Sequence, residues 1–326
     1  MKDTRQVFVC PLAMRCFLAV ALMLIFNGTV KYGYAAKNNN LALLAEQGYA
    51  DAQYKLGYKY NFGSGVEKDE HKAAEWFKKA AEQYRIAAEQ GNADAQHKLG
   101  WMFANGHGVV QNYGIAVQWY RKAAEQGYAL AQTSLVTMYS HGLGVGKSEH
   151  KAAEWYQKAA EQGSADAQFV LGEMYEDGRG VWKNKSNALE WFRKAAEQGH
   201  VYAQFNLGKA YEGGLGVSKD ASNALKWYQK VKIAAEQGDA KAQTTLGEMY
   251  ENGYGVAQND SMALEWYQKA AGQGDIIAYL SLGTMYSMES IFTKDKSKAK
   301  ELKQKSEEWF QKAKERQTPQ IPDFFD

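Results

Sequence analysis

Apolar positions along this chain recur with a helical period, and the runs stop at glycine. Ala167, Leu171 and Tyr175 fall at i, i+4 and i+8, one stripe of a helix. The same stripe returns as Ala95, Leu99 and Phe103, and again as Ala242, Leu246 and Tyr250. A second apolar face follows each first one, as in Ala188, Trp191, Phe192 and Ala195. Alanines beside large rings predict closely packed helices with interlocked large and small side chains. The three prolines are Pro11, Pro319 and Pro322, so the strongest helix breaker is absent between them.

The pattern repeats. The phrase AEQG places a glycine at Gly48, Gly91, Gly127, Gly163, Gly199 and Gly238, and a variant, AGQG, ends at Gly274. The spacings are 43, 36, 36, 36, 39 and 36 residues, a range that signals stacked repeats. Within the units, Tyr60 to Trp76, Phe103 to Trp119, Tyr139 to Trp155, Tyr175 to Trp191, Tyr211 to Trp227 and Tyr250 to Trp266 are all 16 apart. Such a unit has an oily side that only its neighbour can cover, so the expected molecule is an array of helix pairs.

Glycine pairs mark the turn between the two helices of a unit: Gly106/Gly108, Gly142/Gly144, Gly178/Gly180, Gly214/Gly216 and Gly253/Gly255. Glycine permits the positive φ of a helix C-cap or a sharp turn. Three residues beyond the loop valine stand Asp69, Asn112, Ser148, Asn184, Asp220 and Asn259. All six are residue types whose side-chain oxygen caps a helix N-terminus. The AEQG glycine then closes the second helix.

Together these residues, AEQGxADAQxxLGxMYxxGxGVxxxxxxAxxWYxKA as at Ala160–Ala195, resemble the Sel1-like repeat family, relatives of the tetratricopeptide repeats. The resemblance covers about residues 41–315. It implies an all-α, right-handed superhelical solenoid of about seven helix-turn-helix repeats with a concave inner surface. The expected units are near 45–87, 88–123, 124–159, 160–195, 196–234, 235–270 and 271–315, within a solenoid at 36–317. Residues 318–326 form a Pro/Phe tail. Three departures stand out. The first unit gains seven residues, about two helical turns, which predicts a longer second helix. The fifth gains three (VKI), which should rotate or bend its junction. The last lacks the GxGV loop, and its lysine-rich segment from Lys294 to Lys305 reads as a polar capping helix. The paired cysteines of some exported relatives are absent.

Residues 1–35 read as a secretory signal. Arg15 precedes the apolar run Cys16 to Phe26, and small residues follow at Ala35-Ala36. Eleven apolar residues are too few to cross a bilayer, which takes about twenty. Met14 is an alternative start. Removing this segment takes four basic residues and one acidic residue. The totals of 39 and 37 become 35 and 36, a net charge of −1. A nucleic-acid partner would call for a clearly basic surface. Both cysteines leave with the signal, so disulfides do not hold the mature chain.

Positions that stay constant between units serve stacking, and those that vary are free for recognition. On the first helices the variable pairs flank Leu-Gly: Tyr54/Tyr58, His97/Trp101, Thr133/Thr137, Phe169/Glu173, Phe205/Lys209, Thr244/Glu248 and Leu280/Thr284. In the superhelix that the resemblance implies, first helices line the concave face. Tyr54, Tyr58, His97, Trp101, Phe169, Glu173, Phe205 and Lys209 are therefore the candidate partner-binding residues, rich in the rings that serve as anchors.

Catalytic and ligand motifs are not assembled. His71, His97, His107, His141, His150 and His200 are scattered without metal-ligand spacing, so neither metal nor cofactor is expected. GLGVGKS, Gly142 to Ser148, is one residue short of a phosphate loop and follows a helix rather than a strand. The SxxK strings Ser148–Lys151 and Ser297–Lys300 lack the SDN and KTG companions of serine β-lactam enzymes. Glu173/Glu176 reads as solvated helix surface. The expectation is an exported bacterial scaffold, periplasmic or secreted, that binds a protein or peptide without catalysis. A cell-wall or β-lactam-hydrolysing enzyme and a secreted effector engaging host proteins are the alternatives.

Overall fold

The computed structural model describes residues 40–316, which divide into two compact units at Gln111/Asn112. Every element in both is α-helical. Unit one holds the short helix α1 (40–46) and then α2 (Ala50–Phe62), α3 (Glu70–Glu89) and α4 (Ala93–Asn105). Unit two runs through α5 (Tyr113–Glu125), α6 (Ala129–His141), α7 (Glu149–Glu161), α8 (Ala165–Asp177), α9 (Lys185–Glu197) and α10 (Val201–Gly213). It continues with α11 (Ala221–Glu236), α12 (Ala240–Asn252), α13 (Asp260–Gly272), α14 (Ile276–Phe292) and α15 (Lys296–Arg316). Even-numbered helices from α2 are the first of each pair, and odd-numbered ones from α3 the second. Within each unit, consecutive helices pack together, as an all-α solenoid of helix pairs requires. The segment read as a signal, 1–35, and the tail at 318–326 lie outside the described residues.

The residues that define the repeat carry the packing. Leu99, Leu135, Leu171, Leu207, Leu246 and Leu282 are all buried, as are the alanines one turn before them. The core of unit two is divided into small clusters. A representative one joins Ala188, Leu189, Phe192, Ala195 and Ala196 of α9 to Ala203, Leu207 and Ala210 of α10. The glycine after the repeat leucine opens space for a ring. A Cβ at Gly172 would lie 2.5 Å from Phe192, and one at Gly247 would lie 2.6 Å from Tyr267.

All six expected N-caps form. Asp69, Asn112, Ser148, Asn184, Asp220 and Asn259 each accept from the amide three residues on. Asp295 accepts from the amides of Ser297 and Lys298. The insertions become helix: α3 has 20 residues and α11 has 16, against 13 in α5, α7, α9 and α13. In the last pair α14 replaces the missing loop by continuing to 17 residues.

Two constant features add to the stack. In every second helix a lysine ammonium lies over the ring of the tryptophan three residues earlier, at 3.9–4.2 Å from Lys79/Trp76 to Lys312/Trp309. Each such pair contributes about 0.5–1 kcal/mol at an exposed site. The repeat glutamine is buried and reaches back eight residues to a carbonyl at the end of the preceding second helix. Gln168 donates to Ala160 O at 3.0 Å and Gln204 to Ala196 O at 3.1 Å. Gln168 Oε1 also accepts from Gln198 Nε2 at 2.7 Å. By contrast, Gln132 donates over 3.4 Å, and its Oε1 has no partner among the described residues. Gln168→Met should therefore cost roughly 1–2 kcal/mol, and Gln132→Met less. Urea denaturation of the two variants gives the order, and a larger loss at Gln132 would count against this role.

Candidate interaction surface

The eight candidate residues fall into two groups, one in each unit. In unit one, Tyr54 is wholly buried, with its ring 5.1 Å from Phe77 and edge-on to Trp101 at 5.6 Å. Its hydroxyl meets His107 Nδ1 at 3.1 Å. His107 stacks on Phe77 at 4.5 Å and meets the Trp101 ring at 5.0 Å, so four rings close one cluster. Burial pushes the His107 imidazole down, which favours a neutral ring beside the Tyr54 hydroxyl. His97 is 1 % exposed. Next to it, Lys98 is buried against Asp51 at 2.8 Å and Asp94 at 3.0 Å, and Asp51 also accepts from the Tyr84 hydroxyl. Tyr58 is at the margin of burial beside half-exposed Phe62, 4.3 Å away. Trp101 keeps part of its ring open.

In unit two, Phe169 is half-buried and stacks on His200 at 4.6 Å. His200 is itself the N-cap of α10, with Nδ1 accepting from the Ala203 amide. Phe205 is 3 % exposed, wedged between Tyr228 and Tyr254. The Lys209 ammonium roofs this pair at 5.1 Å from Phe205 and 5.3 Å from Tyr254. Glu173 and Glu248 are half-buried, and burial raises both carboxyls. Thr133, Thr137, Leu280 and Thr284 are exposed, whereas Thr244 is buried and bonded to Asp275.

Tyr54, His97 and Phe205 therefore offer no open surface here. Tyr54 is covered by Phe77, Trp101 and His107, and Phe205 by Tyr228 and Tyr254. Trp101, Phe169, Glu173 and Lys209 remain open, with Tyr58 at the edge. One exposed ring escaped the helix arithmetic altogether: Trp182, 93 % exposed in the loop between α8 and α9. A tryptophan at a loop position held elsewhere by Glu67, Gly146, Ser218 or Ala257 was the available signal.

The motifs set aside as structural have structural partners. Ser148 Oγ accepts from the Lys151 amide at 3.2 Å, while the Lys151 ammonium lies over the Tyr139 ring. His71 and His150 pair with Glu75 and Glu154 at equivalent exposed sites. Among the described residues no group of three or more His, Cys, Asp or Glu side chains is gathered as for a metal. No described helix is long and apolar enough to cross a membrane.

Comparison with known proteins agrees with this architecture. The Sel1 repeat matches at residues 50–83, 93–128, 128–164, 165–200, 201–239, 240–275 and 276–317. A Sel1 repeat protein from Oxalobacter formigenes is 36% identical over 76% of this chain and 95% of its own, with a TM-score of 0.56. A protein described as a protective antigen present in uropathogenic Escherichia coli strains is 37% identical over 85% of this chain, with a TM-score of 0.52. This chain spans 56% of that protein's length. An immunity protein from Pseudomonas aeruginosa is 26% identical over 69% of this chain and 81% of its own, with a TM-score of 0.45. The comparison with curated proteins returned no match. With all seven helix pairs matched in order, the chain belongs to the Sel1 repeat family.

Proposed function

We propose that this chain is an exported, non-enzymatic scaffold that binds a protein or peptide through the open faces of its first helices. The observation that carries the reading is the contrast within those helices. The leucine and alanine of each repeat, and the glutamine of the first six, are buried and alike, while Trp101, Phe169, Glu173 and Lys209 are open and differ from pair to pair. Half-buried rings beside single charges supply apolar contact area and register, as protein interfaces do. The export half of the reading rests on the sequence of residues 1–35, and it is supported by the protective-antigen description of the E. coli relative.

The two halves are tested separately. Fractionation of the source cells should find the protein in the periplasm or the medium; a cytosolic location ends the export claim. Capture by the mature chain should weaken at least about tenfold with Trp101→Ala and with Glu173→Lys, since open anchors carry about 1–2 kcal/mol or more. Helical circular dichroism should be unchanged. Capture by both variants as strong as by the parent chain would remove these faces from the interface.

A further inference from the structure

The three extra residues of α11 open a site elsewhere, on the second-helix and loop side of unit two. In the regular junctions, the second loop glycine of one pair seats on the first residue of the preceding second helix. Gly144 abuts the Tyr113 backbone, Gly180 that of Glu149, and Gly216 lies on Lys185 and Leu189. At α11 the seat moves. Gly255 instead abuts the ring of Tyr228, the eighth residue of that helix. The consequence shows in two identical stretches, SNAL in α9 and SNAL in α11. Leu189 is 5 % exposed beneath the Gly216 loop, whereas Leu225, at the same position in its helix, is 55 % exposed.

The uncovered step is a notch of about 710 Å³ with Leu225, Tyr228 and Val256 on its floor and Lys226, Lys230 and Lys232 around it. None of its described lining residues carries a carboxylate. The nearby acids are engaged: Glu212 accepts from the Tyr228 hydroxyl at 2.8 Å, and Glu236 lies 3.9 Å from the Lys232 ammonium. We propose that this notch docks an acidic peptide segment, with an aliphatic or aromatic side chain seated on Leu225 and flanking carboxylates facing the three lysines. An apolar floor beside positive charge selects both parts of such a segment, because Lys226, Lys230 and Lys232 would repel a basic chain and a purely polar one would leave Leu225 uncovered. The volume suits a few residues. This site is independent of the open faces of the first helices.

The test uses the full chain and two labelled peptides, Glu-Asp-Phe-Leu-Asp-Glu and its charge-reversed form Lys-Arg-Phe-Leu-Arg-Lys, followed by fluorescence anisotropy. The acidic peptide should bind, weaken as salt rises from about 0.1 M to 1 M, and lose about tenfold or more in Leu225→Asp and in Lys226→Glu. The charge-reversed peptide should not bind. Deleting Val231 to Ile233 restores the 36-residue spacing, re-covers the leucine and should abolish binding with helicity retained. Failure of the acidic peptide to bind, or binding indifferent to Leu225→Asp, overturns the proposal. Sedimentation showing a dimer that Leu225→Asp disperses would assign the notch to a second copy and overturn it equally.

Discussion

Gly180→Ala is expected to destabilise the chain by about 3–5 kcal/mol, several times the cost of the same change at Gly163. Both glycines have positive φ, +70° and +94°, so both substitutions carry the left-handed penalty of about 1–2 kcal/mol. Only the surroundings differ. Nothing lies within 4 Å of a Cβ built on Gly163, so the φ penalty is its whole cost. A Cβ on Gly180 would overlap the carbonyl of Glu149 at the start of α7, and a backbone atom cannot rotate away. The loop and α7 would have to part, breaking the bond between His150 Nδ1 and Gly180 O at 3.0 Å. Because stacked repeats are held by nearest-neighbour contacts, the loss should also split or broaden the unfolding transition. Urea titrations followed by circular dichroism measure both effects. Equal free-energy losses at the two positions would mean that the loop does not seat on the preceding pair.

That seating defines the limit of what the sequence discloses. Helix periodicity, glycine spacing and cap residues are local properties, and they placed all seven pairs, the six caps and the elongation of α3. The burial of Leu171 and its equivalents follows from the same stripe. Registry between pairs is not local. Leu189 and Leu225 sit in the same four-residue string, yet one is covered and the other open, because three residues inserted further along α11 move the next loop. The expected aromatic surface met the same limit. Tyr54, His97 and Phe205 lie on the predicted face of their helices but are buried, Tyr54 against Trp101 and His107, and Phe205 against Tyr254 of the pair that follows it. The glutamine that reaches back eight residues was visible as a constant letter in ADAQ, but a constant letter does not say which carbonyl it meets. His200 as an N-cap had still less signal, since the equivalent positions are held by Asn92, Ser164 and Asp239.

Acidification from neutral pH should weaken unit one through His97, by about 3 kcal/mol between pH 6.5 and 4. Burial pushes this imidazole from 6.5 down to about 4, reinforced by Lys98 and opposed by Asp94. The unfolded chain takes its proton near pH 6.5 while the folded chain still refuses it. Within that window the unfolded state binds more protons, and stability falls as pH falls. Above pH 6.5 the contribution is constant; below about 4 no more is lost. His107, also held down by burial, adds in the same direction. Unit two contains opposing groups. His200 is pushed down by burial and would lose its cap to Ala203 on protonation. Glu173 and Glu248 are pushed up by burial, so above pH 4.5 the folded state holds the extra proton, and acidification favours folding there. The decisive comparison is His97→Gln against the parent chain, with denaturant midpoints taken at intervals from pH 7.5 to 4. The variant should show a stability profile flatter by about 3 kcal/mol across the window, since glutamine has no proton to gain. Parallel profiles would mean that the imidazole is reached by water in solution.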